Sequence, residues 1–437
     1  MSSSGFPSGS AASLVRSPGP VTAPAARTAS DAGGRLTAWP GRGLPNLGSS
    51  RREWAARLAP GRRSSEVPGL LATLYALCGG AHRVTARAAM AAARGLVGDT
   101  MPGEIDELHL DTAREHVRRL WLDWPQVMTH AGRDRDEPGP GQALRSCPVL
   151  QSAAADAAGS YRSEAMRDWL VEHAFGLPLH EWLDGWSADP AAWLSHWTAS
   201  RATWPARLLD CCRRDAQQLG TAPAPLLAHA QPAELLRIAR QLREDPGYAL
   251  APLWRGHCAE TGPWTRLLDP LARTAAMAGT PAATPTRSAP AARAPGSAWI
   301  RFGSRLADLA HIALATPGRP WLQQGAVAIA PGESIAYSEM ARGLLLHWVQ
   351  LDANDLAAGA PDPRVARCRV VAPTEWNFHP HGLVAQALAC LSPSVRGERV
   401  RLLAAAFDPC VELDVARVAP ESSDRGDTQT PEAVGHA

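Results

Sequence analysis

Three stretches of this chain cannot build a core, and they confine any fold to what lies between them. Residues 1–34, the run AGTPAATPTRSAPAARAPGSA from Ala278 to Ala298, and residues 417–437 are dominated by small residues, proline and polar groups. They carry too few large apolar side chains to offset the entropy of ordering, so they read as a disordered leader, a linker and a disordered tail. The folded body is then residues 35–416, with the 278–298 linker inside it. A shorter run, GRDRDEPGPG around Arg133, reads as a surface loop.

Within that body the pattern is mostly helical. Val67, Leu70, Leu71, Leu74 and Leu77 recur at i, i+3, i+4 and i+7 after Ser64 or Ser65, predicting an amphipathic helix with Cys78 on its buried stripe. Further helices are expected at 83–97, 104–123, 162–174, 205–219, 232–243 and 300–315. The segment from Glu104 to Asp123 opens with acids, closes with Arg118 and Arg119, as the helix dipole favours, and meets Pro125 as a stop. From Gly325 the texture changes. GAVAIAPGESIAY places two short apolar runs about Pro331-Gly332, and GLLLHWVQLD and RCRVVAP follow as β-like runs before helices resume near Leu383. The fold class is therefore mainly α with a small β meander.

Composition narrows the partners. Lys+Arg 44 against Asp+Glu 42 leaves a net charge of +2, far from the basic excess that nucleic acid or an anionic membrane surface would need. All 44 cations are Arg, so lysine Schiff-base and Walker-type chemistry are excluded. No run approaches the ~18–20 apolar residues that span a bilayer, and the N-terminus has no continuous apolar export region. Eight cysteines lie scattered without the spacing of a disulfide scaffold, which fits a reducing, cytoplasmic setting.

Few motifs stand alone. Cys78 and His82, four apart, form either a buried helical packing pair or a ligand pair. FDPCVELDV, from Phe407 to Val415, reads as a turn that exposes the Cys410 thiol, with no second cysteine at metal-like spacing. APTEWNFHPHG, from Ala372 to Gly382, is a polar and aromatic loop directly after a strand. It is either a functional loop or a Pro-rich turn packing Trp376 and Phe378, and on an extended chain its His379 and His381 point opposite ways. No GxSxG, GxGxxG, P-loop or HExxH occurs where its mechanism would require it.

In order along the chain stand Gly61-Arg62, Glu66, Cys78 with His82, AETGPWTR from Ala259, EMARGLLLHW from Glu339, APTEWN from Ala372 and FDPC from Phe407. This series resembles the large subunit of [NiFe] hydrogenases, whose segments read GR…D/E…RxCGxCxxxH, EVGPLAR, APRGxxGHW, PTTWN and DPCxxC. The likeness runs from about Ser50 to Val415. It matches Cys78 to the second cysteine of the family's N-terminal pair and Cys410 to the first of the C-terminal pair. Tyr75 and Leu413 stand in the other two cysteine places, no carboxylate stands at Ala55 or Ala56 where the family has its proton-gate Glu, though Glu53 is about a turn away, and Ala416 replaces the His that precedes C-terminal trimming.

Four thiolates hold nickel and bridge it to iron in that family, and two cannot. The resemblance thus implies that the iron half of the site is kept and the nickel half lost. It makes Cys78 and Cys410 the metal ligands of an Fe(CN)2CO fragment, bound transiently and without nickel. Arg342, Thr374 and Pro373 would line the cyanide side, and His82 would stand beside the bridging thiolate. This pattern, with the EWNFHPHG wording, looks most like the hydrogenase expression/formation accessory proteins of the HupK type, relatives of the large subunit. The implied role is a non-catalytic scaffold that holds the fragment before delivery to the hydrogenase large-subunit precursor, alongside small hydrogenase maturation chaperones. A metal-free chaperone that mimics the large subunit is the alternative, and a degenerate hydrogenase is disfavoured by the missing thiolates and gate carboxylate.

Overall fold

A computed structural model describes residues 33–96, 103–128, 139–151, 159–222, 231–268, 296–395 and 397–416. Nearly all of the expected leader, the 278–298 linker and the tail lie outside these residues, as does most of the run around Arg133. The last residues of two of these runs are helical: Ala298 begins a helix capped by Ser297, and Gly139 begins another.

The meander is a four-stranded antiparallel sheet in sequence order: β3 (Gln324–Ala330), β4 (Glu333–Met340), β5 (Gly343–Leu351) and β6 (Val365–Val371). Its central strands are buried on both faces, and the strand period of two divides their side chains between two helices. Ile335 and Tyr337 face one core with Leu235, Ile238 and Leu242 of the helix Pro232–Glu244. Ala336 and Val349 face another with Ala86, Ala89, Met90 and Ala93 of the helix Gly79–Ala93. Small side chains on both sides of this second contact let helix and sheet approach closely. Ser334 Oγ there donates to the Ala89 carbonyl at 2.6 Å and Thr85 Oγ1 donates to Ser338 Oγ at 2.8 Å.

The larger core is helical and tryptophan-rich. The helix Ala298–Leu314 runs through it with Trp299, Phe302, Leu306 and Leu309 buried. A Cβ at Gly303 would meet the Trp186 ring at 2.3 Å, so only glycine permits that approach. A second, three-stranded sheet ties the ends of the described chain together. β1 (Leu36–Ala38) pairs antiparallel with β2 (Leu47–Ser49) and parallel with β7 (Leu413–Val415).

Two expected helices differ in form. The helix from Val67 ends at Leu74 instead of running through Cys78; Tyr75 leaves the helical region (φ −109°, ψ 50°) and a tight turn, Ala76–Cys78, follows. The turn brings Gly79 against the end of that helix, and only glycine fits there, since a Cβ would lie 2.7 Å from the Ala72 carbonyl oxygen. Pro125 does not stop the helix that begins at Glu104. A wider π-type turn, Arg119–Asp123, precedes it and absorbs the bond proline cannot make, and Trp124–Met128 continues as helix. APTEWN is a short helix, Pro373–Asn377, rather than a loop.

Candidate metal-binding thiol pair

Cys78 sits at the N-terminal end of the helix Gly79–Ala93, its amide donating to the Tyr75 carbonyl at 2.9 Å. Cys410 follows the C-terminal helix Gly397–Phe407 across a turn in which Asp408 takes φ 53°. More than 300 residues of chain bring these two thiols into hydrogen-bonding contact. Both are free cysteines, Cys78 buried and Cys410 half-buried.

The pair is electrically asymmetric. Cys410 is held well below the usual thiol range by the hydrogen bond from Cys78, by the Arg342 and Arg51 guanidiniums and by Thr374, which outweigh its burial. Cys78 is pushed well above that range by the same hydrogen bond, by burial and by the charge on Cys410. The resting pair is therefore a thiolate accepting from a thiol. Thr374 grips Cys410 twice: its Oγ1 donates to Sγ at 3.2 Å and accepts the Cys410 amide at 3.1 Å. Thr374 is placed by Pro373, which opens its helix where a missing N–H costs nothing.

Arg342 lies in the turn between β4 and β5 and is 1% exposed. Its Nη2 donates to Glu115 at 2.6 Å and its Nε lies 3.3 Å from Asp408, while its Nη1 is buried with no hydrogen-bond partner among the described residues. Asp408 also meets Arg119 at 2.7 Å and Arg305 at 3.1 Å, and Arg342 with these two guanidiniums holds its carboxyl below the ordinary range against complete burial. The turn is pinned from outside as well. Gly343 takes φ 130° against Thr261 and Gly262 of the AETGPWTR segment, where a Cβ would meet Thr261 Oγ1 at 2.6 Å. Glu260 in that segment forms a two-armed ion pair with Arg301 at 2.8 Å on each arm.

The opposite side of the pair is closed. Tyr75 stacks on His82, with centroids 4.2 Å apart. His82 Nδ1 lies 3.0 Å from His347 Nε2 on β5, and burial lowers both histidines, His347 to about 3, so both rings are neutral. Arg51 donates to Glu375 at 2.7 Å; burial pushes this carboxyl up while Arg51 opposes it, and its Oε2 has no partner among the described residues. Glu53 stands just ahead of the helix Trp54–Leu58 and pairs with Arg369 at 3.1 Å.

Of the residues the sequence singled out, Cys78, Cys410, Arg342 and Thr374 converge on one point, and Pro373 serves them through the backbone. His82 is beside them, engaged with Tyr75 and His347. Arg51, His347, Glu375 and, about Asp408, Arg119 and Arg305 were not foreseen as part of the site. Two of these carried a signal: His347 is a lone polar group in an apolar strand, and Glu375 stands where PTTWN has its second Thr. Arg51 carried none. Among the described residues no three His, Cys, Asp or Glu side chains are grouped to hold a metal by themselves, and no helix is long and apolar enough to cross a membrane.

No protein-family model matches the chain. It is 38% identical over 395 residues to the hydrogenase expression/formation protein HoxV of Cupriavidus necator, covering 87% of this chain and 95% of that one. It is 28% identical over 386 residues to the hydrogenase expression/formation protein HupK of Rhizobium leguminosarum bv. viciae, covering 84% and 90%. Among solved structures it is similar to an NAD+-reducing [NiFe]-hydrogenase in the H2-reduced state, at TM-score 0.44 and 14% identity over 83% of this chain and 91% of that one. It is also similar to the Ni-Fe-Se hydrogenase from Desulfovibrio vulgaris Hildenborough in the reduced state, at TM-score 0.44 and 14% identity over 83% and 92%. The chain belongs to the HoxV/HupK family of hydrogenase expression/formation proteins.

Proposed function

We propose that this protein is a non-catalytic accessory factor of [NiFe] hydrogenase maturation that takes an Fe(CN)2CO fragment as cargo between Cys78 and Cys410 and passes it to the hydrogenase large-subunit precursor, in company with small maturation chaperones. The observation that carries this is the thiol–thiolate pair in the field of Arg342, whose buried Nη1 is a donor with no acceptor among the described residues. Two soft thiolates suffice for an iron that brings its own strong-field ligands. A buried guanidinium arm without a partner costs free energy until an acceptor arrives, and the nitrogen end of a bound cyanide is such an acceptor.

Loading both thiolates requires Cys78 to give up its proton, so uptake releases a proton and strengthens as pH rises. Few ligands also suit a carrier, because fewer bonds have to break at delivery. The test is infrared spectroscopy with elemental analysis on protein isolated anaerobically from its host. Cyanide and carbonyl stretches with iron and little nickel are expected. Protein free of both bands, still needed for hydrogenase maturation, would replace this reading with a metal-free mimic of the large subunit.

A further inference from the structure

A second thiol–imidazole pair stands outside the site described above. Cys258, half-buried just ahead of the AETGPWTR segment, has its Sγ 3.2 Å from Nδ1 of His379, in the chain that follows the helix Pro373–Asn377. His379 is 6% exposed and its orientation is set on both sides of the ring. The His381 amide donates to Nδ1 at 3.1 Å, which makes that nitrogen the unprotonated, accepting one, its lone pair shared between this amide and the Cys258 thiol. The Ala251 carbonyl accepts from the ring, and with Nδ1 already engaged this contact falls to Nε2–H. A thiol, a base within hydrogen-bond reach and a third group that orients the base is the arrangement that activates a nucleophile.

We propose that Cys258 and His379 form a base-assisted exchange thiol whose substrate is a disulfide. The Cys258 proton moves to His379 Nδ1 as the sulfur attacks one sulfur of the disulfide. The old S–S bond breaks, a Cys258 mixed disulfide forms, and the departing thiolate takes the proton from His379 and leaves as a thiol. One disulfide is consumed and one made, so no outside oxidant is needed. Burial raises Cys258 and lowers His379, so the resting pair is neutral and the thiolate exists only through the transfer. The titratable groups facing His379 are Cys258 from the 248–258 segment and His381 from its own loop. The same short helix carries Thr374 near its start and runs out toward His379, so a group attached at Cys258 loads the element that grips Cys410.

The experiment measures the reaction of the full-length protein with 5,5′-dithiobis(2-nitrobenzoate), the mixed disulfides being assigned by peptide mass spectrometry. Thiolate formed by internal transfer is insensitive to pH between the two groups' own titrations, so the Cys258 rate should stay within about twofold from pH 6 to 8. An unassisted thiol would gain about tenfold per pH unit over that range. His379→Gln should slow Cys258 by tenfold or more at pH 7, while the exposed Cys211 and Cys390 keep their rates. A wild-type Cys258 rate that climbs tenfold per unit overturns the proposal without recourse to any variant, and so does a folded His379→Gln protein with an unchanged Cys258 rate.

Discussion

The two sides of the Cys78–Cys410 pair differ in what they leave unfinished. Toward Arg342 the structure offers a donor, a guanidinium arm without a partner, beside a thiolate on which the Thr374 hydroxyl is already engaged. Toward Tyr75 the groups are matched to one another, a phenol on an imidazole, an imidazole on an imidazole and a guanidinium on a carboxylate, and among the described residues no cationic donor is left over; the unpartnered atoms there are Glu375 Oε2 and His347 Nδ1. Buried donors held by neighbouring ion pairs are preorganised for an acceptor and need little rearrangement to receive one. On the proposed reading, the side with the unpartnered donor is the one that receives the cargo, and the aromatic and ionic patch is the side that takes no metal.

The sharpest way to break this comparison is to remove the thiolates. Cys410→Ser and Cys78→Ser should each abolish bound iron and the cyanide and carbonyl bands, because a hydroxyl is a hard, weakly acidic substitute for a soft thiolate. Cys147→Ser and Cys368→Ser, at buried cysteines outside the pair, should keep the iron at a modest stability cost. Host hydrogenase activity together with the infrared spectrum of each variant checks both halves. Full maturation with both Cys78→Ser and Cys410→Ser would remove the thiols from the argument.

Next in size is Asp408→Asn. The carboxyl is 3% exposed and balances Arg119, Arg305 and Arg342, so neutralising it leaves uncompensated buried cations at a cost of about 3–5 kcal/mol. Its folded pKa lies below its unfolded one. Its contribution is therefore complete above an unfolded carboxyl pKa of about 3.9 and is lost as pH falls below that toward the folded value. Denaturant titrations at pH 7 and at successively lower pH should show the gap between wild type and variant closing as the solution is acidified. A constant gap would mean that Asp408 acts through shape and not charge.

Tyr75→Cys probes the closed side. The substitution loses the stack on His82 and opens space, for about 1–3 kcal/mol, and places a third thiol near the pair. Nickel should still be far below one equivalent, since Leu413 leaves the fourth place unfilled and Arg51–Glu375 remains. Elemental analysis of the variant from its host decides it, and stoichiometric nickel would show that Tyr75 alone excludes the metal.

What was legible follows from how local each signal is. Cys78, Arg342, Thr374 and Cys410 sit in short motifs whose wording survives, and the meander showed itself because alternation about Pro331-Gly332 needs only neighbours in sequence. The helices Leu179–Ala188 and Pro190–Ser200 were not foreseen, although Asp189 before Pro190 is a cap signal, its carboxylate accepting the Ala191 and Ala192 amides. The three-residue strands β1, β2 and β7 carry no period to detect. His82 with His347 and Arg51 with Glu375 join positions 265 and 324 residues apart, and no spacing rule reaches that far. Tyr75 was legible as a missing cysteine but not as the place where the helix breaks, because the apolar period runs on through Leu77 while the backbone turns at Tyr75 to bring Gly79 against the Ala72 carbonyl.

The smallest expected effect tests the open side without dismantling it. Arg342→Leu would strip Glu115 and Asp408 of a buried partner and confuse ligand loss with unfolding. Arg342→Lys keeps the charge and one direct contact but replaces a rigid fork by a single ammonium, which cannot meet Glu115, Asp408 and a cargo ligand from the same three directions. Iron content should therefore stay near wild type, because no ligand is removed, while the cyanide stretches move and the carbonyl stretch moves less, since cyanide is the better hydrogen-bond acceptor. The readout is band position at constant iron. Unmoved cyanide bands in a folded, iron-loaded Arg342→Lys protein would mean that Nη1 faces something other than the cargo, and the two sides of the pair would then differ in packing alone.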